Sequence, residues 1–172
     1  DNFCTFCIVP FTRGRERSRD MDSIVTEVKD AVLNGFNEVT LLGQNVNSYR
    51  TQNGKFPELM ELVAQVPGVE RIRYMSPHPQ DMDEDLIKIM AKYKNICDYI
   101  HLPLQAGSDR ILKRMNRTYT KQEFLDLVSL IRKHIPDCAI STDIIVGFPG
   151  ETDEEYHDTL DVMNRVVFDR AF

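Results

Sequence analysis

Two kinds of segment alternate along the chain when its hydrophobic and polar positions are followed. Short runs rich in Val, Ile, Leu or Tyr are typical of strands, whereas longer stretches with apolar residues on one face are typical of amphipathic helices. The predicted strands span residues 38–42, 69–75, 98–102 and 139–146, and another strand is predicted to begin at 170–172. The predicted helices span residues 23–33, 56–66, 83–93, 121–134 and 153–167.

Two of these helices carry recognisable end signals. Gly35 follows the first predicted helix, and glycine ends helices because it adopts a positive φ at little cost. Thr152 precedes the last predicted helix and Glu155 follows three residues later, which is the capping-box pattern. We therefore expect the first helix to stop at Gly35 and the last to begin after Thr152.

The alternation of strands and helices predicts an α/β fold with a parallel sheet. Right-handed strand–helix–strand units build either an open doubly wound sheet or a barrel. No G-x-G-x-x-G pattern follows a strand, so a dinucleotide-binding Rossmann site is unsupported. Ligands bind at the carboxyl ends of the strands in such folds, so polar clusters at those ends are expected to converge. These clusters lie at residues 43–45, 76–79, 103–105 and 147–151.

The composition is that of an ordinary soluble domain. Of the 172 residues, 42% are hydrophobic and 28% are charged. Apolar runs such as IIVGF at 144–148 are far shorter than the roughly 20 residues that cross a bilayer, and DNFCTFC at the N-terminus is not a signal peptide. Four cysteines do not form a dense disulfide framework. Membrane and secreted classes are therefore excluded, and a cytoplasmic location is expected.

Charge is unevenly distributed along the chain. The net charge is −6, yet residues 13–19 (RGRERSR) contain four Arg and one Glu, a local charge of +3, which leaves −9 for the rest. An acidic body binds nucleic acid poorly without a local basic patch. Recognition of phosphate or carboxylate is therefore expected on this loop, and a solvated loop without a partner is an equal alternative from charge alone.

Cys4 and Cys7 form a C-x-x-C pair that is compatible with several kinds of site. It could be a redox pair, half of a zinc site, part of an iron–sulfur site or two ordinary thiols. A thioredoxin-like pair should open a helix directly, and the residues after Cys7 do not predict one. The four His are too scattered to complete a zinc site, and Cys97 and Cys138 are expected to be small buried side chains. Spacing therefore favours a metal or cluster role for the pair.

The N-terminal segment resembles the cluster loop of radical S-adenosylmethionine (SAM) enzymes. DNFCTFC followed by IVPFTRGRERSR is similar to their pattern C-x-x-x-C-x-aromatic-C, with Cys4 and Cys7 at the second and third cysteines and Phe6 at the aromatic position. The first cysteine of the pattern falls one position before Asp1. The resemblance implies a 4Fe–4S cluster with Cys4 and Cys7 among its ligands.

Further motifs extend this resemblance over nearly the whole chain. VTLLGQNVNSYR, MSPHP, HLPLQAGSDRILKRMNRTYT and STDIIVGFPGET together resemble the methylthiotransferase branch of the family. The implied fold is a partial (β/α)6 TIM-type barrel. Residues 1–172 are then the radical SAM core, truncated at both ends and lacking its first strand. Family members also carry an N-terminal domain with an auxiliary cluster and a C-terminal RNA-binding TRAM domain, and neither is expected in these residues.

The resemblance also implies which residues contact SAM. The turn Gly43-Gln44-Asn45 stands where many relatives bind the methionyl amino group, with amides in place of the usual acid. Gln105 and Asp143 match positions that reach the nucleoside hydroxyls, and Asp143 is expected to be a buried carboxylate. Arg117 is expected to pair with the SAM carboxylate, although without the resemblance it is interpreted as a surface charge at a helix end. The remaining implied contacts are Phe6 near the adenine, Ser76, and the backbone at Ile145 and Gly147, whereas His78 is interpreted as a loop histidine between two prolines.

The implied reaction is methylthiolation of carbon two of isopentenyladenosine beside the tRNA anticodon. Reductive cleavage of SAM gives a deoxyadenosyl radical that abstracts hydrogen from that carbon, and sulfur arrives as a methylated group from the auxiliary cluster, with a second SAM as methyl donor. The implied partners are the anticodon stem-loop of tRNA and an electron donor such as flavodoxin or ferredoxin, with no membrane. The phosphate contacts are expected from Arg13, Arg15, Arg17 and Arg19.

Alternative functions remain open at this point. Within the branch, the substrate could be threonylcarbamoyladenosine in tRNA or a ribosomal protein, although LGQNV and PLQAGS are most similar to the enzymes acting on isopentenyladenosine. Outside it, the C-x-x-C pair and the basic loop could belong to a non-catalytic module that binds metal or RNA.

Overall fold

The computed structural model describes residues 2–172 and confirms the alternation of helices and parallel strands. The helices are α1 (Val9–Arg13), α2 (Met21–Leu33), α3 (Phe56–Ala64), α4 (Glu84–Lys92), α5 (Asp109–Arg114), α6 (Lys121–His134) and α7 (Asp153–Val166). The strands are β1 (Glu38–Leu41), β2 (Arg50–Thr51), β3 (Gly54–Lys55), β4 (Arg71–Tyr74), β5 (Tyr99–His101), β6 (Ala139–Thr142) and β7 (Arg170–Ala171). In these residues no helix is both long and apolar enough to cross a membrane.

The order of the strands distinguishes a barrel from a doubly wound sheet. β1 pairs in parallel with β4, and β5 pairs in parallel with β6, which pairs in parallel with β7. A single parallel bridge between Ile72 of β4 and Ile96 joins the two groups. Apart from the β2–β3 hairpin, the strands thus lie side by side in chain order, β1, β4, β5, β6 and β7. A doubly wound sheet instead reverses its strand order near the middle. The structure therefore confirms the partial barrel, and β7 confirms the strand predicted at 170–172.

The two faces of the curved sheet differ in polarity. Ile72, Ile100 and Ile140 are fully buried beneath the helices, which contact one another in the order α2, α3, α4, α6 and α7. The opposite face is polar: Glu38 of β1 accepts hydrogen bonds from Arg71 and Arg73 of β4 at 2.7 and 2.9 Å. Because strand side chains alternate between faces, apolar positions pack under the helices and polar ones face the barrel interior.

The helix ends form where the sequence signals them. Thr152 and Glu155 make the reciprocal bonds of a capping box at the start of α7. Gly35 has φ +88° and donates its N–H to the carbonyl of Val32, while Phe36 donates to the carbonyl of Ala31. This pattern satisfies the last carbonyls of α2. Both predicted helix ends are confirmed.

Some predicted elements are shorter than expected, and others were missed. The strand predicted at 139–146 ends at Thr142, and beyond it pairing continues as an isolated parallel bridge between Gln105 and Ile144. In this bridge Gln105 N–H donates to the carbonyl of Asp143, and Ile145 N–H donates to the carbonyl of Gln105. The elements without a sequence prediction are α1, α5 and the β2–β3 hairpin, all of which are too short to show a hydrophobic period.

Gly107 provides a stability test of the contact between the loop after β5 and α7. A Cβ on Gly107 would lie 2.5 Å from the backbone of both Asp158 and Thr159, and its N–H donates to Thr159 Oγ1 at 2.8 Å. Because helix backbone cannot move aside cheaply, Gly107→Ala is expected to lower the free energy of unfolding by about 2 kcal/mol. Urea denaturation measures this, with the exposed Lys133→Ala on α6 as the control; an equal midpoint for both variants would contradict the prediction.

Candidate functional site

A cleft with a volume of about 840 Å³ lies at the carboxyl ends of β1 and β4. Four segments far apart in sequence line it: the N-terminal loop, the turn after β1, the loop after β4 and the loop after α5. Most of the predicted site residues share this cleft. These are Cys4, Phe6, Cys7, Gly43, Gln44, Asn45 and Arg117, together with Arg13, Arg15, Arg17 and His78.

The cysteine loop is held against the end of α5. Thr5 N–H donates to the carbonyl of Met115 at 3.0 Å, and Asn116 donates to the carbonyl of Phe3 at 2.8 Å. A backbone bond from Cys7 N–H to the Cys4 carbonyl closes a turn, and both cysteines are free thiols, Cys4 buried and Cys7 half-buried. The expectation that no helix directly follows the pair is wrong, since α1 begins at Val9. The missed helix has only five residues, and Pro10 stands at its first turn.

Arg117 is buried beneath the cysteine loop. Only 8% of the residue is exposed. Its guanidinium donates to Cys4 Sγ at 3.4 Å, to the carbonyl of Pro103 at 2.9 Å and to the Tyr119 hydroxyl at 3.0 Å. The interpretation of Arg117 as a surface charge is therefore wrong. The contact with Cys4 places a fixed positive charge directly against the sulfur of the C-x-x-C pair.

His78 is also buried in the wall of the cleft and is more than a connecting loop residue. Asn47 donates to the His78 carbonyl and accepts from its N–H, both at 2.8 Å, while Nδ1 accepts from the N–H of Gln80 at 3.3 Å. Among the described residues, Nε2 is buried and has no hydrogen-bond partner. Burial, with the nearby Arg117 cation, lowers the pKa of His78 to about 3. The imidazole is therefore neutral at neutral pH.

The basic loop folds across the rim of the cleft. Asn45 of the turn after β1 donates to Glu16 at 2.7 Å, and the Tyr49 hydroxyl donates to the Arg19 carbonyl at 2.7 Å. Arg19 itself forms an ion pair with Glu27 at 2.6 Å. Arg13, which ends α1, and Arg17 line the cleft with exposed side chains. The positive charge of this loop is thus directed toward the cleft.

The other predicted residues lie outside the cleft lining, at the ends of β4, β5 and β6. Gln105 and Ile145 are joined by the backbone bonds that extend β5 and β6, and Gly147 follows in an exposed turn with φ +73°. Ser76 and Gln105 have φ of +60° and +71°. Left-handed conformations of residues other than glycine cost free energy and concentrate at functional sites. The strand ends therefore form a second group of site candidates beside the cleft.

Asp143 belongs to a hydrogen-bonded chain that sequence reasoning missed. Asp143 Oδ2 lies 3.2 Å from His101 Nε2, His101 Nδ1 lies 2.8 Å from Ser141 Oγ, and Ser141 Oγ lies 2.7 Å from the Tyr99 hydroxyl. The Asp143 side chain is 40% exposed, so the expectation of a buried carboxylate is wrong. The available signal was the alternation of polar residues, at 99 and 101 in β5 and at 141 and 143 in and after β6, which places all four on the inner face.

The depressed pKa of His78 predicts a specific pH dependence of stability. The unfolded chain binds a proton at an ordinary histidine pKa of about 6.5, whereas folded His78 stays neutral down to about pH 3. Its contribution to the free energy of unfolding is therefore complete above pH 6.5 and is lost as the pH falls toward 3, by at most ~1.4 kcal/mol per pH unit. Between pH 7 and 5, wild type should lose about 2 kcal/mol more than His78→Asn in urea titrations. Equal losses of unfolding free energy in wild type and His78→Asn would refute this prediction.

The chemistry of the cleft suits a soft metal centre and a charged organic ligand. Cys4 and Cys7 are thiols close together in the chain, Arg117 is a fixed cation beside one of them, and the turn at 43–45 presents backbone and amide groups to the same space. Within residues 2–172 no group of three or more His, Cys, Asp or Glu side chains is arranged to hold a metal ion. Among the described residues, the cleft thus offers two thiols as potential metal ligands and not a complete ligand set.

Known proteins resemble this chain in sequence. It is 55% identical to the tRNA-2-methylthio-N(6)-dimethylallyladenosine synthases of Acetivibrio thermocellus and of Porphyromonas gingivalis. In each case the match covers 100% of this chain and 36% and 38%, respectively, of the relative. The chain thus spans little more than a third of these curated relatives.

The fold also matches solved structures at low sequence identity. The radical S-adenosylmethionine methyltransferase TsrM from Kitasatospora setae, solved with cobalamin and a [4Fe-4S] cluster, has a TM-score of 0.78 at 17% identity, covering 98% of this chain and 33% of TsrM. Methylornithine synthase (PylB) has a TM-score of 0.64 at 20% identity, covering 99% of this chain and 48% of the synthase. The family model described as "Radical SAM superfamily" matches residues 1–163. With its partial barrel and its cysteine loop at the carboxyl ends of the strands, this chain belongs to the radical SAM superfamily.

Proposed function

We propose that this chain is the radical SAM core of a tRNA methylthiotransferase, which adds a methylthio group to carbon two of isopentenyladenosine (dimethylallyladenosine) next to the anticodon. The observation that carries the proposal is the shared cleft of Cys4, Cys7, Arg117 and the turn at 43–45 at the carboxyl ends of the strands. The names of the relatives at 55% identity support the choice of substrate.

The residues of the cleft fit an iron–sulfur cluster at two ligand positions. Cys4 and Cys7 are unpaired, and the guanidinium of Arg117 donates to Cys4 Sγ, which stabilises a thiolate ligand. The third thiolate is assigned to the family cysteine that precedes Asp1 in the pattern. When bound, a 4Fe–4S cluster supplies the electron for reductive cleavage of SAM.

The remaining site residues are assigned to SAM. The amide and carbonyl oxygens at 43–45 accept hydrogen bonds from its ammonium group, and Arg117 binds its carboxylate with the N–H groups left over from its three protein contacts. Gln105 and Asp143 accept hydrogen bonds from the ribose hydroxyls. The role of His101 is to orient Asp143 through their 3.2 Å contact. The adenine contacts are assigned to Phe6 and to the backbone at Ile145 and Gly147, with Ser76 as a further SAM contact.

The proposal also covers the domains, partners and location of the complete protein. We assign residues 1–172 to one radical SAM core domain, accompanied in the complete enzyme by an auxiliary-cluster domain and a TRAM domain. Its partners are the anticodon stem-loop of tRNA and a reduced flavodoxin or ferredoxin. The proposed compartment is the cytoplasm, where tRNA and both electron donors occur together.

The direct test is methylthio transfer by the complete protein. The anaerobically reconstituted enzyme is incubated with SAM, a reductant and tRNA that carries isopentenyladenosine, and the nucleosides are analysed by mass spectrometry. We expect the methylthio derivative of isopentenyladenosine. If product forms only with threonylcarbamoyladenosine tRNA or only with ribosomal protein, that molecule is the substrate instead of isopentenyladenosine tRNA. Binding of tRNA without SAM cleavage would favour a non-catalytic binding module.

The basic loop gives a separate prediction for tRNA binding. Arg13 and Arg17 line the cleft rim with exposed side chains, whereas Arg19 is paired with Glu27. If Arg13 and Arg17 each contact a phosphate, Arg13→Ala combined with Arg17→Ala should reduce the slope of log K against log salt by up to about two. Arg19→Ala is the control within the loop, and its slope should stay near wild type. Filter binding of tRNA across salt concentrations measures the slopes of both variants. An unchanged slope in the double variant would contradict phosphate contacts by Arg13 and Arg17 and favour a solvated loop without a partner.

A further inference from the structure

His78, which lines the cleft, carries a buried hydrogen-bond donor. Its exposure is 4%, and Nε2 has no partner among the described residues. Because the N–H of Gln80 donates to Nδ1, the hydrogen of the neutral ring must reside on Nε2. Buried polar groups without a partner are rare in folded proteins, and such a group in a cleft wall indicates a ligand that completes the hydrogen bond.

The imidazole is held in this orientation from several sides. Asn47 forms a reciprocal pair of hydrogen bonds with the His78 backbone. Pro77 and Pro79 flank His78 in the chain, and their rings fix their own φ angles, which limits how the backbone can move there. The edge of the ring packs against Tyr119, with centroids 6.1 Å apart. The backbone is therefore fixed, and turning the ring to find a protein partner for Nε2 would break the Gln80 bond to Nδ1 and the packing on Tyr119.

The charge beside His78 defines what kind of ligand fits. The Arg117 guanidinium lies over the same Tyr119 ring, 5.1 Å from its centroid, and both residues line the cleft. Three of the five guanidinium N–H groups have protein partners, which leaves two donors. A cation and a neutral N–H donor close together attract an anionic oxygen and exclude an ammonium group.

We propose that His78 Nε2–H and the remaining N–H groups of Arg117 together bind the carboxylate of the methionyl group of SAM. The inference rests on the proposed function and deepens it, because it names a second donor for the charged end of the cofactor, on the loop after β4. It also explains why a histidine and not an aliphatic residue fills this buried position between two prolines.

Two substitutions separate the Nε2 donor from the rest of the side chain. Asn at position 78 can still accept from Gln80 N–H near the position of Nδ1 but has no donor at the position of Nε2. Gln places an amide nitrogen near Nε2. Equilibrium dialysis of the complete, anaerobically reconstituted protein measures dissociation constants for SAM and for decarboxylated SAM, and iron and sulfide content reports the cluster. His157→Asn on the exposed side of α7 is the matched control.

We expect His78→Asn to weaken SAM binding about tenfold while binding of decarboxylated SAM and cluster content stay unchanged. His78→Gln should stay within about threefold of wild type. Equal losses for both ligands, or unchanged SAM affinity, would overturn the assignment of His78 and leave the proposed function standing. A change in cluster content or absorption with unchanged SAM affinity would indicate that His78 Nε2–H contacts the cluster, and it would also overturn the assignment to the SAM carboxylate. Failure of the wild type to bind SAM would instead refute the proposed function itself.

Discussion

Cys7→Ser in the complete protein is expected to abolish SAM cleavage and to remove about four iron atoms per chain, the content of one 4Fe–4S cluster. Cys7 is half-buried, lines the cleft and has no disulfide partner, so a hydroxyl can replace the thiol with little effect on packing. Serine remains protonated at neutral pH and is a poor ligand for iron, whereas the cysteine thiolate is a strong one.

The measurements are iron and sulfide analysis, absorbance near the cluster bands and yield of 5′-deoxyadenosine. Cys97→Ser is the matched control. Cys97 is half-buried and has no disulfide partner, like Cys7. It lies just before β5 and is not among the residues that line the cleft. The expectation that Cys97 is buried is therefore wrong, whereas Cys138 is buried as expected. Its iron content and SAM cleavage should equal those of wild type. Full iron content in Cys7→Ser would remove Cys7 from the ligand set.

Arg117→Lys is expected to lower the free energy of unfolding by about 2 to 4 kcal/mol and to weaken SAM binding as well. The guanidinium joins Cys4 Sγ, the Pro103 carbonyl and the Tyr119 hydroxyl through three different nitrogen atoms. A lysine ammonium is a compact charge that cannot reach three separated acceptors at once. Some of these acceptors are then buried without a donor, and the cysteine loop loses a tie to the loop after β5.

Thermal or urea unfolding and SAM dissociation constants measure the two effects. Arg165→Lys is a control for the substitution itself, because Arg165 is exposed on α7 and its ion pair with Asp161, at 3.7 Å, lies on the surface. Its stability should stay within about 0.5 kcal/mol of wild type. A stable Arg117→Lys variant with weakened SAM binding would show that the guanidinium contacts are not structural. Unchanged SAM affinity would remove Arg117 from the cofactor site.

Local signals in the sequence were sufficient for the elements that bury many apolar side chains. α6 has the predicted boundaries, and α7 differs by one residue, because their apolar residues recur at helical spacing and Thr120 and Thr152 cap their first turns. The strands were located but made too long, at the carboxyl end in every case and also at the amino end for β4 and β5. The β propensity of residues 143–146 continues past the end of β6, although pairing there is reduced to an isolated parallel bridge between Gln105 and Ile144.

The sequence by itself determined the α/β class, the helix ends and the family motifs, because these depend on the period of apolar residues and on residues close together in the chain. The pattern of elements alone left the barrel and the doubly wound sheet open, because strand order is a property of pairing between distant segments. The family resemblance implied the barrel, and the tertiary structure confirmed it. Only the tertiary structure decided the contacts of the site. Arg117 meets Cys4 across 113 positions of the chain, and His78, His101 and Asp143 acquire their partners only when the strands align. No pattern of neighbouring residues reports whether a side chain is buried, paired or left with one donor facing a cleft.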